Sequence, residues 1–250
     1  EMSEKIVGLQ AETDKLQQQV TEFQNAQAAQ ERQQQENGML TPPAGDTALS
    51  GEVLDSLAIG QIVDEFSVML GAAMNFGVTP VEIREIVYQA TAYLGIGRVF
   101  PFLKVMNKVF TEKGIKLPLE NQATTTTENR REEGTKAQVE IFGEGMRDFW
   151  KSGPEESRHI NLLLADNCFG DYYTRKGLNY KQREMITFCF LAAQGGCEPQ
   201  LTSHAAANMR IGNDKIFLIK IISQCLPYIG YPRSLNALRC VNSAAEKEDF

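Results

Sequence analysis

Four residues combine reactive side chains with compatible spacing: Glu184, Cys197, Gln200 and His204. If a helix opens near Gly196 and runs through His204, positions 197, 200 and 204 fall at i, i+3 and i+7 and share one face. The Gly195-Gly196 turn folds a preceding helix over 181–194 back alongside and carries Glu184 towards that face. A carboxylate that fixes the tautomer of an imidazole makes a general acid or base near neutral pH. The same spacing also suits a packed helix histidine and a solvated glutamate, so spacing alone leaves both readings open. The only other histidine, His159 in Ser157-Arg158-His159-Ile160-Asn161, has no such partner and is expected at the surface.

The elements that must position these residues are helical. Thr79-Pro80-Val81-Glu82 is a capping box with proline at the first helical position. Ile83, Ile86, Val87 and Ala90 then give an apolar face at spacings of three and four. Gly95 and Gly97 are expected to end that helix, with the next over 99–110. Further helices are expected over 137–150, 155–166, 181–194, 198–210, 214–226 and 232–247, separated by Gly153-Pro154, Gly177, Gly195-Gly196, Gly212-Asn213 and Pro227. Strand-like alternation is absent, so the class is all-α.

Three regions follow. Residues 1–36 are Gln-rich, with Ile6, Leu9, Leu16, Val20 and Phe23 on a short heptad seam that stops at Gln27 and Gln30. They form a coiled-coil-like helix or a solvated Gln-rich tail. Gly38, Pro42, Pro43 and Gly45 mark a linker, and a second linker is expected over 121–136. The two regions between and after, 48–118 and 137–247, repeat. A shift of 135 residues puts Met74 on Met209, Gly77 on Gly212 and Gln89 on Gln224. It also puts Tyr93-Leu94-Gly95-Ile96-Gly97-Arg98 on Tyr228-Ile229-Gly230-Tyr231-Pro232-Arg233. His204 falls opposite Met69, so chemistry is expected in the second copy only.

Composition narrows the function classes. Lys and Arg number 25 against 32 Asp and Glu, a net charge of -7 that argues against a nucleic-acid surface. No apolar run reaches the roughly 18 residues of a membrane helix. The polar start, Glu1 to Lys5, lacks an apolar signal core, and a cytoplasmic protein is expected. The five cysteines lie between Cys168 and Cys240 without a CxxC or CxxH pair, which fits neither a disulfide framework nor a zinc site. Cys225 and Cys240 are expected as buried packers, and Phe149 and Trp150 as core anchors.

Longer blocks carry a resemblance. Phe169-Gly170-Asp171-Tyr172-Tyr173-Thr174-Arg175-Lys176-Gly177-Leu178 is followed by Arg183-Glu184-Met185-Ile186-Thr187 and by Gly195-Gly196-Cys197-Glu198-Pro199-Gln200-Leu201 with His204. Together with Tyr228-Ile229-Gly230-Tyr231-Pro232-Arg233-Ser234-Leu235-Asn236-Ala237, this order resembles the carboxymuconolactone decarboxylase family. The likeness extends over about 137–245 and is weaker over about 60–112. It implies a helical bundle of the alkylhydroperoxidase D kind, here duplicated, and a homo-oligomer, trimeric or hexameric.

The family divides by chemistry. Its peroxidase branch uses a CxxC pair followed four residues later by His, with an upstream Glu. Here Cys197, His204 and Glu184 match, but Gln200 stands at the second cysteine and the Glu184–Cys197 spacing is one residue longer. The decarboxylase branch needs no cysteine. The resemblance therefore implies a cofactor-free and metal-free lyase acting on a small carboxylate. Its candidate catalytic residues are His204 as proton donor, Glu184 as its orienting partner, and Cys197. Gln200 is the candidate oxyanion donor, and Arg175 and Arg183 are candidate carboxylate clamps. Arg233 is left out because Arg98 matches it in the half without a histidine. The alternatives are a thiol-dependent hydroperoxide reductase at Cys197, resolved by Cys189, Cys168 or an external thiol, and a non-catalytic assembly module.

Overall fold

The computed structural model describes residue 63 and residues 65–247, all within the unit Leu54–Phe250. The Gln-rich segment 1–36, the linker after it and the start of the 48–118 region lie outside the described residues. Every regular element among the described residues is helical, with no strand. The fold class is all-α, as the sequence indicates.

Helix α1 covers 65–75 and α2 covers Pro80–Leu94. The capping box forms: the Glu82 amide donates to Thr79 Oγ1 at 3.2 Å, and the Thr79 amide donates to Glu82 Oε2 at 2.8 Å. Gly95, at φ 80°, separates α2 from α3, Ile96–Glu112. Gly97 is therefore inside a helix rather than ending one.

The second expected linker is half helix: α4 runs Arg130–Phe142. Its first turns hold Arg, Glu and Lys, straight-chain residues that lose little rotamer freedom in a helix. Gly134 explains why the chain is helical there despite a glycine. A Cβ at Gly134 would overlap the Ala165 carbonyl oxygen, and one at Gly170 would overlap the Arg130 carbonyl, so two glycines let two backbones touch. Instead of continuing to residue 150, α4 stops at Gly143, at φ 96°. Phe149 and Trp150 are half-buried rather than core, and Arg131 and Lys151 stack on the Trp150 ring at 4.8 and 4.9 Å.

Helix α5, Arg158–Leu163, continues into a π-helical segment, Leu164–Tyr173, well past the expected end at 166. Next come α6, Tyr180–Gln194, opened by an Asn179/Gln182 capping box, and α7, Glu198–Arg210. The last helix, α8, Lys215–Lys247, passes through Pro227 and bends at Gly230, at φ 73°. The break falls on the glycine, which tolerates that φ, rather than on the proline.

Three apolar clusters hold these helices. Phe188, Leu191, Leu201, Ala205, Leu218 and Val241 join α6, α7 and α8. Ile83, Val87, Val99, Met106, Val109 and Phe110 join α2 to α3. Ala137, Ile141, Cys168, Phe169, Tyr173 and Ala207 pack α4 and the π-helical segment against α7. A fully buried side chain of Leu, Val, Met or Phe type contributes about 1.5–3 kcal/mol.

Helix lengths repeat about two of the positive-φ glycines. A 15-residue helix, a positive-φ glycine (Gly95) and a 17-residue helix make up α2 and α3. The two limbs of α8 on either side of Gly230 have the same lengths. Gly77 and Gly212, at φ 88° and 95°, precede the two sets.

Candidate active site

Glu184 sits on the second turn of α6 and His204 on α7, and the Gly195-Gly196 turn between those helices brings them face to face. Nδ1 of His204 lies 2.7 Å from Oε2 of Glu184. Glu184 is fully buried and His204 is 9% exposed. With Nδ1–H donated to the carboxylate, Nε2 is the ring atom left for chemistry. Asn208 ties the two helices at the same level, its Nδ2 donating to the carbonyls of Glu184 and His204 at 3.0 and 2.8 Å. Tyr93 and Phe142 meet the imidazole edge-on, with ring centroids 5.8 and 5.1 Å away.

The other carboxylate oxygen is served from a polar cluster. Tyr173, at the end of the π-helical segment, donates to Oε1 of Glu184 at 2.7 Å. A phenol has one proton, so with that proton committed Tyr173 accepts from its other neighbours. Tyr93 then donates to it at 2.9 Å and Thr187 at 2.8 Å, while Cys168 donates its thiol to Tyr93 at 3.6 Å. Gln89 Nε2 donates in turn to Thr187 Oγ1 at 2.8 Å. Every proton in this chain points towards Glu184, an arrangement that stabilises a carboxylate and fixes its two oxygens. Burial drives the Tyr93 and Tyr173 phenols well above their ordinary range, and the Glu184 charge adds to it. Burial also pushes the Cys168 thiol up to about 12, which removes it as a nucleophile at neutral pH.

Cys197 and Gln200 lie outside this network. Cys197 is the residue before α7, with its Sγ 3.4 Å from the Leu191 carbonyl. Burial pushes its thiol up, and the nearby Glu198 carboxylate and Cys240 add to the effect. The cavity beside it, between Leu191, Gly195, Leu201 and Arg233, holds about 10 Å³, room for one water. Gln200 is exposed on α7.

The two candidate clamps have another task. Arg175 grips Glu85 of α2 bidentately, Nε to Oε2 at 2.8 Å and Nη2 to Oε1 at 3.0 Å. Arg183 is fully buried; its Nη1 donates to Gln89 at 2.8 Å, and its Nη2 donates to Glu85 at 3.3 Å and to the Arg175 carbonyl at 2.8 Å. Burial works against the Arg183 charge, and the Glu85 carboxylate offsets it. Both guanidiniums therefore bind Glu85 and are not displayed for a ligand. His159 is exposed, as expected.

A larger cavity, about 280 Å³, is lined by Phe142, Thr202, Ser203, Ala206, Ala207, Arg210 and Ala244. Phe142 thus touches both the imidazole and this cavity. The volume suits a small organic acid. Among the described residues no His/Cys/Asp/Glu cluster has metal-binding geometry, and no helix is long and apolar enough to cross a membrane.

Sequence reasoning missed Tyr173, Tyr93, Thr187 and Phe142. Tyr173 precedes Glu184 by 11 residues, and nothing in that spacing ties the two together. Tyr93 comes from the other half of the chain, 80 residues away from Tyr173, and only packing reveals it.

No curated protein matches the chain. The stretch that holds Tyr173, Glu184, Cys197 and His204, residues 162–243, matches the model of the carboxymuconolactone decarboxylase family.

Proposed function

We propose that the protein is a cofactor-free carboxy-lyase of the carboxymuconolactone decarboxylase kind, with His204 as the proton donor. The observation that carries this is the buried Glu184–His204 pair at 2.7 Å, backed by Tyr173. Loss of CO₂ from an unsaturated lactone acid leaves negative charge spread into the lactone, and the site must return a proton to carbon. An imidazolium held at Nδ1 by a fixed carboxylate presents its Nε2 proton in one direction, which is what that step needs. The 280 Å³ cavity is the proposed substrate-binding site, with the Arg210 guanidinium and the Thr202 and Ser203 hydroxyls on its wall. His204 does not line it, so proton transfer requires Phe142, which touches both, to turn aside and admit the reacting carbon to Nε2. In this reading substrate recognition falls to α7 rather than to Arg175 or Arg183. A thiol mechanism at Cys197 has less support: the thiol is pushed up, and its cavity has no room for an organic hydroperoxide.

The same reading takes 48–118 as a degenerate copy of 137–247 that has exchanged chemistry for support. Matching helix lengths about Gly95 and Gly230 favour a common unit, and Tyr93, Gln89 and Glu85 of the first copy all bond into the second. Carbon dioxide release from carboxymuconolactone by the purified chain, and its loss in His204→Ala, tests the proposal.

A further inference from the structure

Two cysteines that the His204 site does not use lie together elsewhere. Cys189 of α6 and Cys225 of α8 have their sulfurs 4.0 Å apart, in hydrogen-bonding contact, and neither is in a disulfide. They are 36 residues apart in sequence, so helix packing alone creates the pair. Both keep some solvent exposure, and Cys225 lies in a stretch with exposed Ser223, Gln224, Pro227 and Tyr228. We propose that Cys189 and Cys225 form a reversible dithiol–disulfide site, oxidised by a small hydroperoxide, with Cys225 as the attacking thiol and Cys189 as the resolving one.

The environment divides the two roles. In the resting pair the Cys225 thiol donates to Cys189. Once Cys225 loses its proton the Cys189 thiol can turn and donate back, and that contact brings the Cys225 thiol down to about 7, whereas the same contact and burial drive Cys189 well up. The Cys225 thiolate attacks one oxygen of the hydroperoxide and the O–O bond breaks. Cys225 becomes a sulfenic acid, and the departing alkoxide or hydroxide takes a proton to leave as alcohol or water. The Cys189 sulfur then attacks the sulfenic sulfur, the S–S bond forms, the S–O bond breaks, and water leaves with the Cys189 proton. In sum, two thiols and one hydroperoxide give one disulfide, one alcohol and one water. A small external thiol reverses the change by exchange. The bridge would pin α6, which carries Glu184, to the limb of α8 that ends at Gly230.

The experiment uses the full chain, reduced, freed of reductant and treated with one equivalent of hydrogen peroxide. Two of its five thiols are expected to disappear and to return with dithiothreitol. Peptide mapping is expected to join Cys189 to Cys225, with chymotryptic cleavage after Phe190 or Leu191 to separate Cys189 from Cys197. In Cys189→Ser no disulfide forms and dimedone labels Cys225; in Cys225→Ser neither product appears at either site. The wild-type map stands even if a variant folds poorly. Five thiols surviving the peroxide, a disulfide joining any other cysteines, or a Cys225 sulfinate without a bridge would overturn the proposal.

Discussion

The imidazole of His204 is useful because of what surrounds its carboxylate partner. Glu184 accepts from Tyr173 on one oxygen and pairs with His204 on the other, so neither the carboxylate nor the ring is free to turn. Tyr173 is a positioning residue in this scheme. Tyr173→Phe removes one hydrogen bond to a charged group, worth about 1.5 kcal/mol, and is expected to lower kcat about tenfold. Substrate KM should change little, and a parallel rise in KM would point to a general loss of structure instead. The fully buried Tyr173 phenol and the partly buried Tyr93 phenol both favour the protonated form in the folded state and ionise freely only when unfolded. Their contribution is full below about pH 10, the ordinary tyrosine value, and falls as pH rises above it. Absorbance titration is therefore expected to show Tyr93 and Tyr173 ionising together with loss of helical circular dichroism. Smooth ionisation of all seven tyrosines in a folded protein would contradict their burial.

Among the elements, the junction of α4 with the π-helical segment has the least room for change. Gly134→Ala places a methyl group against the Ala165 carbonyl and the Gly170 amide, backbone atoms that cannot swing aside. Overpacking of this kind costs about 3 kcal/mol, and urea unfolding measures it. Gly145→Ala, where an added Cβ meets nothing within 4 Å, is the matched control and should be near neutral. This junction also marks where the sequence stopped being informative. The helices around the site were legible because capping boxes and glycines announce themselves locally: Thr79 to Glu82, Gly95 and the Gly195-Gly196 turn all fell where structure needed them. That turn made a Glu184–His204 meeting one of two open readings, and the structure shows the contact. The helical start at Arg130 was not legible, because a charged stretch with a glycine looks like a linker until its partner Gly170 is in place. Arg175 and Arg183 misled for the same reason: their partner, Glu85, lies about 90 residues upstream, and no local pattern announces a long-range ion pair.

At the scale of the molecule, Glu85 is the residue on which the two halves close. It is fully buried, and Arg175 and Arg183 both spend their charge on it. Glu85→Ala would leave the buried Arg183 without its carboxylate, at a cost of about 3–5 kcal/mol. Unfolding of the wild type is expected as one cooperative transition reporting both halves, and independent melting of 65–112 would contradict a shared unit. Assembly is a further expectation at this scale. Tyr228, Tyr231 and Leu235 are 72%, 70% and 61% exposed around the Gly230 bend, a group of large side chains of the kind that a protein partner covers. Light scattering at micromolar concentration should return a trimer or hexamer, and a monomer mass would remove that expectation.

The most direct test of the proton-donor role compares three proteins on one substrate: wild type, His204→Ala and Cys197→Ser, with CO₂ release from carboxymuconolactone as the readout. Turnover by the wild type, a loss of about 10²–10⁴-fold in His204→Ala, and a change within about twofold in Cys197→Ser are the expected results. Full activity in His204→Ala, or its abolition in Cys197→Ser, would contradict a histidine-based lyase.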